Sequence, residues 1–373
     1  MALAIVAIGA VVLTGTHEPP ARAAGSSADV SVSMDVRAGK FVAGQPPTTR
    51  FDPSAGVVIN DYLTAIAIVH NDGPDATTVT YRQTSPAPGP DQWIIAVPAM
   101  GWTDTDWTCG YDGVPQTAGL QTLGCTFTLG AGESQQLIEE YEIEAPGAFT
   151  IASTATSSTT DPDDSNNAAS MTTASRCSVE GTPGDDVLVG TTDTDSLCGE
   201  GGSDTLILSG SGESAFGGAG NDTISVGQAD WAHTVDGDAG TDTVSFADSP
   251  NPVMVCTYGT PGRYGSGGRA SPEHGGANMF SIEGFIGSPY ADWIDAGPGS
   301  QTVSGGRGWD TVRGGKGTDT VLGGPGNDRI LAADHTLDRI NGGLGVDHAH
   351  ADATDKLTSA AETALTLLDP CNG

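Results

Sequence analysis

The sequence predicts an all-β chain of two modules, an antiparallel sandwich followed by a parallel solenoid, and three observations predict it. Before about residue 176 the chain runs in short stretches of alternating apolar and polar residues broken by Gly, Pro, Asn and Asp. From residue 181 onward it repeats every nine residues with one fixed apolar position. Composition agrees: 54 of 373 residues are glycine without a three-residue period, 37% are hydrophobic and only 16% are charged, which fits neither collagen nor wholesale disorder. With 14 Lys and Arg against 47 Asp and Glu, the formal net charge of −33 excludes a protein that grips nucleic acid or anionic membranes through a basic surface.

Residues 1–23 read as an export signal peptide. They are apolar from Ala2 to Leu13, then carry Pro19-Pro20 and the small-x-small triplet Ala21-Arg22-Ala23, so cleavage is expected near Ala23. About a dozen apolar residues fall short of the roughly 20 that span a bilayer, and no later segment is long enough either. No membrane insertion is therefore expected after signal removal. Six cysteines in an exported chain point to disulfides, for which fifteen pairings are open. Sequence locality favours Cys109–Cys125, Cys177–Cys198 and Cys256–Cys371. C-x-x-C spacing, which a cysteine metal cluster needs, is absent.

Within residues 29–173, strands are expected at Val30–Met34, Val57–Val69, Thr77–Tyr81, Trp93–Val97, Cys125–Leu129, Leu137–Ile143 and Phe149–Ala155. Alternation is clearest in Leu137–Ile143, where Leu137, Glu139, Tyr141 and Ile143 share one face and Glu140, Glu142 and Glu144 the other. Turn chemistry separates these runs at His70-Asn-Asp-Gly-Pro-Asp75 and Gly130-Ala-Gly132. Asn71-Asp-Gly-Pro-Asp75, Gly101-Trp102, Trp107-Thr-Cys109, Cys125-Thr-Phe-Thr-Leu-Gly-Ala-Gly132 and Thr160-Asp-Pro-Asp-Asp-Ser-Asn-Asn167 follow one another in an order that resembles the bacterial Ig-like repeat known as domain of unknown function 11. That resemblance implies an extracellular spacer or adhesive Ig-like β-sandwich without catalytic residues to carry over.

Signatures of common hydrolases are missing: neither His-Glu-x-x-His nor Gly-x-Ser-x-Gly occurs in the chain. Asp104 and Asp106 are a pair of carboxylates in a Thr-rich loop, where solvation is the plain reading. No catalytic residue is assigned, and the chain is expected not to be an enzyme.

In the second module three tandem units match G-G-x-G-x-D-x-U-x, where U is apolar: Gly305–Arg313, Gly314–Leu322 and Gly323–Leu331, with a further match at Gly217–Ser225. This pattern resembles the calcium-binding nonapeptide of RTX proteins, the hemolysin-type repeat, and implies a parallel β-roll over residues 177–350 that takes several Ca²⁺ ions. The residues support that chemistry independently. Glycine lets the backbone turn its carbonyls inward, aspartate adds a hard charged oxygen, and an all-oxygen shell suits Ca²⁺ rather than zinc or copper.

Two nonapeptides make one coil, so position-6 residues stack eighteen apart. Counting from Gly181, one edge carries Asp186, Asp204, Asp222 and Asp242, and the other Asp195, Glu213 and His233. Counting again from Gly287, one edge carries Asp292, Asp310, Asp328 and Asp347, and the other Gln301, Asp319 and Asp338. Taking the two first edges as one, every departure from aspartate falls on the second edge, so calcium is expected mainly on the first. Coils stack about 4.8 Å apart, where neighbouring carboxylates repel by about 1 to 3 kcal/mol each, which predicts a roll that needs calcium to fold.

An insertion at 246–286 is expected to continue the solenoid. The tail, residues 351–373, is expected to cap the roll, with helical spacing at Leu357, Ala361, Ala364, Leu365 and Leu368. Recurrent Thr at position 7 reads as good strand chemistry rather than a ligand-binding ladder, and His348 and His350 read as a solvated pair. The expected function is that of a secreted or cell-surface-associated calcium-binding protein, non-enzymatic, with a structural or interaction role outside the cell. A calcium-dependent adhesin or envelope-matrix component that meets a cell-surface glycan or protein is the alternative. A secreted hydrolase is the third reading, since RTX repeats accompany such enzymes in the families resembled.

Overall fold

A computed structural model describes residues 27–39, 47–59, 61–86, 108–112, 120–143, 146–191, 194–210, 212–227, 234–258, 267–270, 278–359 and 361–362. Among them every element is a strand except one 3-10 turn at Asp164–Asn166. The signal peptide, the strand expected at Trp93–Val97, the Asp104 and Asp106 pair, His233 and Cys371 lie outside the described residues.

The first module contains β1 (Val30–Ala38), β2 (Val57–Val58), β3 (Tyr62–Asn71), β4 (Thr77–Pro86), β5 (Thr108–Asp112), β6 (Leu120–Leu129), β7 (Ser134–Glu142), β8 (Gly147–Ser157) and β9 (Ala168–Arg176). They form two sheets, β1-β3-β7 and β2-β9-β8-β4-β6-β5. All neighbours are antiparallel except β2 and β9. The single run expected over Val57–Val69 is two strands, because the chain changes sheet after Val58: Val57 and Val58 pair with Ser175 and Arg176, whereas β3 joins the other sheet between β1 and β7. Strand β9 carries almost no apolar alternation, and only Thr173 of it is buried. Its order comes from pairing along β8, from Gly147↔Ser175 to Thr154↔Ala168.

Turn residues hold the sandwich ends. The Asn71 amide donates to the carbonyls of Asp75, Leu129 and Gly130, at 2.8, 3.3 and 3.1 Å, and its Oδ1 accepts the Gly73 N–H. Gly73 is obligatory there, since a Cβ would sit 2.5 Å from the backbone of Ala28. Asp161 accepts the Val30 N–H at 3.0 Å and so ties the Thr160–Asn167 loop to β1. Between the sheets, Tyr81, Gln83 and Ser153 meet Glu139 and Tyr141 in a buried polar network. Burial pushes the Glu139 carboxyl up to about 7, against hydrogen bonds from Tyr141 and Gln83 that favour its charged form.

The second module is a parallel solenoid of two facing sheets, one of nine strands and one of twelve. The U residues, from Leu188 to Ala349, form one buried cluster between them. Pairing keeps the eighteen-residue register, as in Leu206↔Ile224 and Val312↔Ile330. Cys109–Cys125 and Cys177–Cys198 are bonded as locality suggests. Cys256 is also disulfide-bonded, and its expected partner Cys371 lies outside the described residues.

The insertion departs from a plain continuation. In the nine-stranded sheet the coil passes straight through, Thr243–Ser245 pairing with Gly284–Ile286. In the other sheet Thr234–Asp236 pairs with Asn278–Phe280, which runs antiparallel to Gly267–Ala270, itself antiparallel to Met254–Tyr258, which then pairs in parallel with Trp293–Asp295. The tail also differs from its helical expectation over the residues described. Lys356–Thr358 and Ala361–Glu362 are strands that extend the two sheets, because Leu357 packs beneath Ile340 in solenoid register.

The modules share a core. Cys198 and Phe216 follow Leu197 and Ala215 on their strands and face away from the roll interior; they pack instead with Val57, Ile59, Leu63 and Ile151 of the sandwich. The Cys177–Cys198 bond joins the end of β9 to this first coil.

Candidate metal centre

Each position-6 aspartate sits at the end of a loop, one residue before a strand, and its carboxylate is divided between two tasks. Oδ1 accepts the backbone N–H of the equivalent residue one coil earlier: Asp186 N–H to Asp204, Asp204 to Asp222 and Asp222 to Asp242, all at 2.8 Å. On the other sheet Asp292 donates to Asp310 at 2.8 Å, Asp310 to Asp328 and Asp328 to Asp347, both at 3.0 Å. Oδ2 is the second task. In Asp204, Asp222, Asp242, Asp310, Asp319, Asp328, Asp338 and Asp347 it is buried and has no hydrogen-bond partner.

Beside seven of these oxygens the first loop residue is glycine, and a side chain there would crowd the aspartate. A Cβ on Gly305 would lie 2.8 Å from Asp310 Oδ2 and 2.6 Å from the Gly323 carbonyl oxygen, and one on Gly323 would lie 2.6 Å from Asp328 Oδ2 and 2.4 Å from Gly342 O. Carboxylate and carbonyl oxygens likewise converge beside Gly199, Gly217, Gly237 and Gly342, a donor set suited to a hard divalent cation. Among the described residues no three Asp, Glu, His or Cys side chains converge on one point. Further ligands would have to be backbone carbonyls.

Eight unmet carboxylate oxygens in a dry edge are costly, and the pKa shifts show how. Burial is the main reason that Asp310 is pushed up to about 7, with the charges of Asp292 and Asp328 adding to it and the Asp292 N–H opposing it. Burial likewise lifts Asp242, Asp328 and Asp338 to about 6. Asp204, Asp292 and Asp319 shift upward for the same first reason. The repulsion expected from stacked like charges is present but secondary; lost hydration is the larger penalty.

Three candidates are placed differently. Asp186, Asp195 and Asp292 have Oδ2 engaged, by Thr182, Thr191 and Ser288, while Oδ1 of Asp195 accepts the Ser178 hydroxyl and Oδ1 of Asp292 the Ser288 hydroxyl. For Asp195, burial would raise the carboxyl, but the Thr191 hydroxyl and N–H together with the Ser178 hydroxyl outweigh it and hold it below the usual range.

The division into a rich and a poor edge does not survive the topology. Through the insertion the column Asp186–Asp204–Asp222–Asp242 continues into Glu283, Gln301, Asp319 and Asp338, because Thr243–Ser245 pairs with Gly284–Ile286. Asp292, Asp310, Asp328 and Asp347 lie on the sheet that earlier carries Asp195 and Glu213. Departures from aspartate thus fall on both edges. Two column members were missed in the sequence. Glu283 accepts the Asp242 N–H at 2.9 Å, and Asp355 accepts the Asp338 N–H at 3.0 Å. The signal for Glu283 was legible: it and the apolar Phe285 stand nine residues before Asp292 and Ile294.

Residues 178–206, 208–230, 286–321 and 295–330 match the RTX calcium-binding nonapeptide repeat, in four copies. All four matches lie within the parallel solenoid. Two solved structures similar to the chain are a crystal structure, with di-metal ions, and a solution NMR structure of the CARDB domain of one protein from Pyrococcus furiosus. They are 12% and 13% identical, cover 43% and 39% of this chain and 98% and 95% of their own, and have TM-scores of 0.25 and 0.22. No curated protein matches the chain.

Proposed function

We propose that this chain is an exported, non-enzymatic calcium-binding protein whose roll reaches full order outside the cell when calcium fills its loops, and that it serves there as a structural or interaction element. One observation carries this reading: Asp204, Asp222, Asp242, Asp310, Asp319, Asp328, Asp338 and Asp347 each leave a buried oxygen unmet. When bound, Ca²⁺ supplies the positive charge that such oxygens lack. The chain's own part is to hold each carboxylate by its other oxygen, to exclude water at the loop and to aim the glycine-loop carbonyls at the same place. An ion that binds only the folded loops adds about 2.7 kcal/mol at a concentration 100 times its Kd, so several ions outweigh the whole stability of an ordinary domain. Far-UV circular dichroism and equilibrium dialysis of the full chain test this. Gain of β-signal with several ions bound in millimolar calcium over EGTA is expected, and an unchanged spectrum with no bound metal overturns it.

A second reading, a calcium-dependent adhesin that meets a cell-surface glycan or protein, is favoured by one feature. Along the edge that carries Asp292 to Asp347 stand Tyr290, Trp309, Leu344 and Val346, 45%, 70%, 76% and 65% exposed. Adhesion of calcium-loaded protein to whole cells, lost in Trp309→Ala and Leu344→Ala chains that keep their calcium, would support it; equal adhesion by both variants would reject it.

A further inference from the structure

We infer that the second residue of each loop decides whether that loop takes an ion, and that a hydroxyl at this position closes it. Asp186, Asp195 and Asp292 are then hydrogen-bonded fixtures of the roll and hold no ion. This inference rests on the calcium reading and narrows it.

Two conformations separate the closed loops from most of the open ones; Asp338, whose loop has Asp334 second, keeps a bare Oδ2 without a positive φ at that residue. Where Asp310 and Asp328 keep a bare Oδ2, the second residue is Gly306 or Gly324 with φ of 95° and 110°. The same conformation holds where the second residue is not glycine. Glu200 and Asp238, ahead of Asp204 and Asp242, are held at φ 71° and 60°, a region that is strained for residues with a Cβ. A side chain alone therefore does not close a loop.

Thr182, Thr191 and Ser288 do not take a positive φ, and each turns two donors onto its own aspartate. Thr182 N–H and hydroxyl reach Asp186 Oδ2 at 2.6 and 2.8 Å, and those of Thr191 reach Asp195 Oδ2 at 2.6 Å each. Ser288 N–H reaches Asp292 Oδ2 at 2.6 Å and its hydroxyl reaches Oδ1 at 2.7 Å. A backbone N–H pressed against the oxygen presents positive charge where a cation would have to sit. In these loops the N–H or hydroxyl occupies the carboxylate oxygen that the open loops leave bare for an ion.

Position at a chain end does not explain the closure. Asp292 has a coil before it, and its Oδ1 accepts the Val253 N–H at 2.7 Å in the manner of the open loops. What the closed loops share, besides the hydroxyl, is where they stand. Asp186 and Asp195 open the roll after the sandwich, and Asp292 reopens the regular register after the insertion. At these places the solenoid takes shape without metal and offers a finished edge on which the calcium-requiring coils stack.

The test is the number of calcium ions bound per full-length chain, by equilibrium dialysis with metal analysis. Ser288→Gly should raise the count by about one ion, and adding Asp292→Asn to it should cancel the gain. Thr182→Gly, at the more exposed start of the roll, gives the same reading should Ser288→Gly fail to fold. A wild-type chain that binds calcium and glycine variants that bind the same number would overturn the inference while leaving the calcium reading intact. A wild-type chain that binds none would remove both.

Discussion

Asp310 accepts on its Oδ1 the backbone N–H of Asp292, 2.8 Å away and one coil earlier, and keeps a second oxygen that meets no hydrogen bond. That division of one carboxylate between an architectural bond and an unmet one makes the roll at once well ordered along its length and incomplete at its edges.

Asp310→Asn should act in opposite directions with and without metal. Without calcium it removes a buried charge while its carbonyl still accepts the Asp292 N–H, so the apo chain should gain about 1 to 3 kcal/mol. In millimolar calcium the same variant should lose bound ion and melt below wild type. Calorimetry in EGTA and in calcium reads both signs, and the same sign in both buffers would contradict the proposed role.

Acidity should partly replace calcium. In the folded chain burial pushes the Asp310 carboxyl up to about 7 and those of Asp242, Asp328 and Asp338 up to about 6, all above the usual 3.8. The folded apo roll therefore holds protons that the unfolded chain has released. Its stability is fullest near the lower value and falls as pH rises through the window to about 7. Melts in EGTA should show a higher Tm at about pH 5 than at about pH 7.5, and the order should reverse in saturating calcium, for which protons compete. An apo Tm that climbs with pH across this window would be the contrary result.

The sandwich should carry a separate pH dependence centred on Glu139, which burial lifts to about 7. Because the folded value is raised, stability is lost as pH rises from about 4.5 to about 7. Glu139→Gln retains an acceptor for Gln83 and Tyr141 and should flatten that slope. Near-ultraviolet melts that follow the sandwich aromatics from about pH 4.5 to 8 would reveal an unflattened slope if the assignment were wrong.

Glycines of the two modules should respond very differently to a methyl group. A Cβ on Gly326 would lie 1.4 Å from the Gly308 carbonyl oxygen, whereas one on Gly132, at φ 73°, meets nothing within 4 Å. Gly132→Ala should therefore cost about 1 kcal/mol, the conformational penalty alone. Gly326→Ala must displace backbone and should cost more than about 3 kcal/mol in calcium. Urea midpoints compare them directly, and equal losses would mean that the coils are less closely stacked than described.

The sequence made the roll legible wherever chemistry repeats at fixed spacing. The apolar U position and the position-6 aspartates stand where the period puts them, since a strand that buries one residue in nine tolerates no drift in register. It failed where pairing, not pattern, does the work. Strand β9 has small polar residues and is ordered by β8; the insertion changes which sheet a given loop precedes, which no local spacing records. The contrast between open and closed loops was written in Thr182, Thr191 and Ser288, yet it acquires meaning only when their donors are seen against the carboxylates. Glu139 shows the reverse: alternation placed it inward, and the network around it explains how a carboxyl is tolerated there.

The detour between Ser245 and Gly284 burdens the two walls of the roll unequally. The nine-stranded wall crosses it with an unbroken ladder, while the twelve-stranded wall absorbs the extra hairpin strand Gly267–Ala270. One side thus works as a spine and the other as a socket. The strands Met254–Tyr258 and Gly267–Ala270 load only one wall, while the ladder of Asp186, Asp204, Asp222 and Asp242 into Glu283 stays in step on the other.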